Sequence, residues 1–134
     1  MDSTEVVVPY VTAGLTDADV EFGRRLWTAF HASEEFPISG MLWLFEGEWH
    51  LMIASPIVDQ LGPRDAFIRL AEKARPIQSD QSRLLRVQLV SPRIPLYEAL
   101  RAIFGKAASV EGMRLGGSQV GGIYIEDAYV YGIR

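Results

Sequence analysis

Cysteine is absent from this chain of 134 residues. That one omission excludes disulfide frameworks, thiol nucleophiles and thiolate metal ligands together. Histidine is scarce, with only His31 and His50, and lysine is limited to Lys73 and Lys106, so eleven of the thirteen bases are arginine. Histidine-based catalytic sets therefore have little to draw on. Long apolar runs are missing too: the longest, Gly40 to Phe45, falls far short of the ~20 residues that cross a bilayer. Residues 1–12 begin acidic and lack a basic stretch followed by an apolar one, which excludes a secretory signal there. The expected setting is the cytoplasm of a prokaryote or phage, with no membrane contact, no metal site and no cofactor.

What the chain does have is enough apolar material for a core: 49% of residues are hydrophobic and 22% charged. Its length is that of a single domain, read here as 1–134. Charge is unevenly placed. Residues 1–62 hold ten acids and two bases, a net of −8, whereas residues 63–134 hold eleven bases and seven acids, a net of +4. Asymmetry of this kind points to a basic face or to head-to-tail self-association, with ordinary solvated faces as the plain alternative.

The pattern of elements predicts an α+β domain. Glu5 to Val11 is strand-like but broken by Pro9, so residues 1–15 are an edge strand or a loose arm. Thr16 and Asp19 form a capping-box pattern opening a helix over 17–32. Met41–Phe45 and Trp49–Ser55, separated by Glu46-Gly47-Glu48, predict a β-hairpin. Both strands are apolar on both faces, which places them centrally in the sheet and requires a cover on each side. Pro63 opens a helix to residue 75, and Pro95 another to residue 105. Between them, Leu84–Val90 alternates as a half-buried strand, with Leu85, Val87 and Leu89 inward and Arg86 and Gln88 outward. A closing hairpin of 108–115 and 123–133, joined by a glycine-rich loop at 116–122, completes the order α-β-β-α-β-α-β-β. The expected sheet is largely antiparallel, with about five strands and three helices.

Candidate chemistry is thin. Glu46, Glu48 and His50 would share one face at period two, offering two carboxylates and an imidazole for acid–base work or a divalent cation; turn composition alone also accounts for the two glutamates. His31 near the end of the first helix is read as a cap rather than a ligand. The 116–122 loop lacks the spacing of a phosphate-binding loop. Arg83, Arg86, Arg93, Arg101 and Arg114, with Lys106, form a basic third of the chain that would suit nucleic acid, although an isoelectric point near 5.1 weighs against it. Trp43 and Trp49 in the hairpin, and Tyr124, Tyr129 and Tyr131 near the end, form either core or a contact face.

Two stretches carry a resemblance. Trp43-Leu44-Phe45 through Trp49-His50-Leu51-Met52-Ile53-Ala54-Ser55-Pro56 to Val58-Asp59 and Gly62-Pro63, with Ile125-Glu126-Asp127-Ala128-Tyr129-Val130-Tyr131, resemble a class of short uncharacterised bacterial proteins. The resemblance implies a bacterial single domain and supplies no activity and no catalytic residues. The leading expectation is a non-catalytic interaction module, a homo-oligomer or a binder of another protein. The alternatives are a small enzyme or ligand-binding protein using Glu46, Glu48 and His50, and a nucleic-acid accessory protein using the arginine-rich segment.

Overall fold

The computed structural model describes residues 14–78, 81–105, 107 and 110–134. Lys106 and nearly all of the expected N-terminal strand or arm lie outside the described residues. The capping box forms as the sequence predicts: the Thr16 hydroxyl accepts from the Asp19 N–H, and the Asp19 carboxylate accepts from the Thr16 N–H. It opens α1 (Asp17–Phe30). Phe22, Gly23, Leu26, Trp27 and Phe30 recur at three- and four-residue spacing and are all buried, which turns one helix face onto the sheet.

Strands β1 (Gly40–Phe45) and β2 (Trp49–Ala54) form the predicted antiparallel hairpin, with Trp43 opposite Leu51. A short helix α2 (Ile57–Leu61) and α3 (Pro63–Ala74) follow. They return the chain so that β3 (Val87–Val90) lies parallel to β2; such a pairing requires a crossover instead of a tight turn. Helix α4 (Pro95–Phe104) leads to β4 (Met113–Arg114), β5 (Ser118–Val120), β6 (Ile123–Ile125) and β7 (Asp127–Ile133). The main sheet has the order β3-β2-β1-β7-β4, and β5 and β6 form a separate two-stranded sheet. The domain is α+β as expected, with a mixed five-stranded sheet.

The doubly apolar hairpin is explained by two cores, one on each face. Met41, Trp43, Leu51 and Ile53 meet α1 and α3 residues such as Leu26, Trp27, Ala66 and Leu70. Leu42, Leu44, Met52 and Ala54 meet Tyr97 and Leu100 of α4, together with Val120 and Ile125 of the small sheet. Each buried large apolar side chain contributes roughly 1.5–3 kcal/mol, so the chain's own elements supply both covers.

Three expectations need correction. Residues Gln81–Arg86 form a 3-10 helix, so the strand begins only at Val87 and Leu85 points outward, 87% exposed. The glycine-rich segment is not one loop: β5 lies inside it, and Gly121 and Gly122, with φ of 57° and 82°, make the two-residue turn into β6, a turn whose two central residues both need positive φ. The closing hairpin survives as a short ladder, Met113 with Val130 and Arg114 with Tyr129, continued by the Leu115 N–H to Ala128 O and Gly117 N–H to Glu126 O bonds.

Candidate functional site

The most connected polar cluster joins α1 to the 3-10 helix. Asp19 is buried, and its Oδ1 accepts from Arg83 Nε at 3.0 Å and Arg86 Nη1 at 2.9 Å. Side chains three apart eclipse one another in a 3-10 helix, so this local conformation aims both guanidiniums at one carboxylate and turns Leu85 away. Burial alone would raise the Asp19 carboxyl; the Thr16 N–H and hydroxyl with the two arginines outweigh it and hold the group below its ordinary value. Arg86 also lies over the Trp43 ring, 4.9 Å from its centroid. Trp43 Nε1 donates to the Tyr131 hydroxyl at 3.1 Å, and that hydroxyl donates to Val20 O at 2.6 Å. Burial pushes the Tyr131 phenol well above its usual range. Every member of this chain of contacts ties one element to another.

The predicted basic set is largely engaged in the same way. Arg83 and Arg86 serve Asp19, so Arg86 does not project from an exposed strand face. Arg101 pairs with Glu98 at 3.0 Å and bonds Arg134 O at 2.9 Å. Arg114 pairs with Asp127 at 2.8 Å and lies over the Trp49 ring. Of the five arginines, Arg93 is exposed and makes no ion pair among the described residues. The structure brings no continuous arginine face together.

The turn brings Glu48 and His50 together but does not gather Glu46 with them. Glu46 N–H donates to Glu48 O at 3.0 Å, closing the loop before β2 begins at Trp49. His50 Nε2 lies 3.7 Å from Glu48 Oε2, and Glu48 is largely exposed. The period-two face on which the trio was expected therefore never forms, and among the described residues no group of three or more His, Cys, Asp or Glu is placed to hold a metal ion. His31 caps α1 as read, its Nδ1–H donating to Trp27 O at 2.8 Å while the ring stacks on Trp27.

The aromatic candidates divide. Trp43, Trp49 and Tyr131 are buried in the core, Tyr129 is half-buried against Tyr131, and Tyr124 alone is well exposed. Core packing thus accounts for the first three, and they offer no surface to a partner.

Two features escape the sequence reading. One is the outer edge of β3, the terminal strand of the sheet. Ser55 N–H donates to Val90 O, so strand alternation turns the N–H and C=O of Leu89 and Val87 away from β2. The residues Val-Gln-Leu-Val carry no charge and no proline, the usual protections of an open edge. The other is a cleft of about 440 Å³ lined by Trp27, His31, Val110, Glu111, Gly132 and Arg134, among others. Its residues come from three separate parts of the chain, which is why no local motif announces it.

No protein family, curated protein or solved structure matches the chain. No helix among the described residues is long and apolar enough to cross a membrane.

Proposed function

We propose that this protein is a non-catalytic interaction module whose partner is a second copy of itself, joined along β3. The observation that carries this reading is the open β3 edge, uncharged and flanked by Leu85 at 87% exposure. Two such edges are self-complementary: antiparallel pairing across a twofold axis through Gln88 would set the outward-facing Val87 against Leu89 of the other copy with no like charges opposed. Both faces of the sheet are already covered, so the edge is the part of the sheet left for a partner.

Other readings have less behind them. An acid–base or metal role for Glu46, Glu48 and His50 rests on a single exposed pair. A nucleic-acid role rests on Arg93 together with arginines already engaged by Asp19, Glu98 and Asp127. The cysteine-free composition suits a reducing bacterial cytoplasm, which is the setting we assign.

The reading is tested by native mass spectrometry of the wild type and of the double variant Leu85→Lys with Gln88→Lys. Both side chains are exposed, so the fold should be unaffected. A dimer that becomes a monomer in the variant supports the proposal, and a monomeric wild type refutes it.

A further inference from the structure

The 3-10 helix Gln81–Arg86 is six residues long. Such runs seldom exceed about four residues, and longer ones mark hinges or segments under strain. The residue pattern favours a strand instead, because Leu85, Val87 and Leu89 alternate with Arg86 and Gln88. The helix treats its two leucines oppositely. Leu84 is 4% exposed, in the core beneath α1 and α3, whereas Leu85 is 87% exposed.

The sheet has a place for the extended form. Strand β3 pairs with β2 from Leu51 opposite Val87 onward, yet β2 begins two residues earlier, at Trp49. Continued backwards in the same register, the strand would set Arg86 beside His50 and Leu85 beside Trp49. Trp49 and Leu51 share the core face against which Val87 and Leu89 pack. Leu85 would enter that core as Leu84 leaves it, one leucine for another, with the apolar volume unchanged. Arg86 would turn to the opposite face, toward His50 and exposed Glu48, which lie 3.7 Å apart.

Asp19 decides between the two forms. Its Oδ1 accepts from Arg83 Nε and from Arg86 Nη1, and Arg86 also covers the Trp43 ring. Trp43 belongs to the core on the α1 side of the sheet. An Arg86 on an extended strand faces the other side and keeps neither contact, so the helix and these contacts stand or fall together.

We propose that residues Leu84–Arg86 are a conformational switch, held as a 3-10 turn by Arg86 on Asp19 and added to the front of β3 when that pair opens. Opening lengthens the outer edge, since strand alternation turns the N–H and C=O of Leu85 outward with those of Val87 and Leu89. Its effect on assembly rests on the pairing of β3 edges proposed above. With the twofold through Gln88, Leu85 would extend the ladder to Ser91 of the other copy, and a longer ladder of main-chain bonds pairs more tightly.

The test reads the backbone ¹³Cα shifts of the full chain at neutral pH, for the wild type and for Arg86→Gln, with the dimer dissociation constant measured on the same samples. Arg83 still pairs with Asp19 in this variant, and circular dichroism confirms its fold; Asp19→Asn takes its place should Arg86→Gln fail to fold. The expected result is helical shifts at Leu84–Arg86 in the wild type that become extended in the variant, with a dissociation constant about five-fold or more lower. Shifts that stay helical, or that move to random-coil values, overturn the proposal. So do extended shifts with an unchanged or larger dissociation constant. A monomeric wild type would refute the self-pairing instead, and the shifts alone then decide the switch.

Discussion

Asp19 does two jobs that only one of its contacts reveals locally. Its capping of α1 follows from the Thr16–Asp19 spacing. Its pairing with Arg83 and Arg86 joins residues 64 and 67 positions apart, and nothing in the neighbourhood of either partner announces it. Because the native carboxyl lies below its ordinary value of 3.8, the pairing stabilises the fold above that pH and is lost as pH falls through the native value. Asp19→Asn should therefore cost about 3 kcal/mol at neutral pH and flatten the loss of stability below about pH 4, measured by urea unfolding across pH. Tyr131 gives the opposite limb. Its phenol is raised, so its contribution is complete below the unfolded value of 10.0 and declines as pH rises toward the native one. Tyr131→Phe should remove that alkaline decline while losing the Trp43 and Val20 hydrogen bonds, about 1 kcal/mol, visible in melts between pH 8 and 11.

At the scale of elements, the helices and the central hairpin were legible because their signals are local. Prolines open α3 and α4, the cap opens α1, and a glycine turn joins two apolar runs. The segment 81–90 was not legible. Its alternation of Leu85, Val87 and Leu89 fits a strand, yet the buried charge of Asp19 demands two arginines on one side, and a 3-10 turn meets that demand at the expense of exposing Leu85. The small sheet was hidden for a different reason: Gly116 to Gly122 is loop-like in composition, and tertiary packing places β5 and β6, with Val120 and Ile125 in the core beside α4 and Gly121 close against Ala99. Gly121→Val should accordingly destabilise by about 1–3 kcal/mol, through positive φ and overlap with Ala99 Cβ, in denaturant titrations. The candidate surfaces were illegible on the same ground, since the cleft and the β3 edge are products of strand order and strand length, which one sequence does not display.

For the whole molecule, part of the charge asymmetry between the two halves is met internally. Acids of the first half meet bases of the second as Asp19 with Arg83 and Arg86, and Glu35 with Lys73 at 2.8 Å. The two apolar faces of the hairpin are likewise satisfied within the chain. What remains open is the outer edge of β3, the terminal strand of the sheet, and the account rests on that edge. The most direct measurement is the mass of the native particle at near-physiological ionic strength, for the wild type and for Leu85→Lys with Gln88→Lys. The account predicts a wild-type dimer of the 15.0 kDa chain and a folded monomer for the variant; a wild-type monomer, or a dimer that the two lysines leave intact, would contradict it.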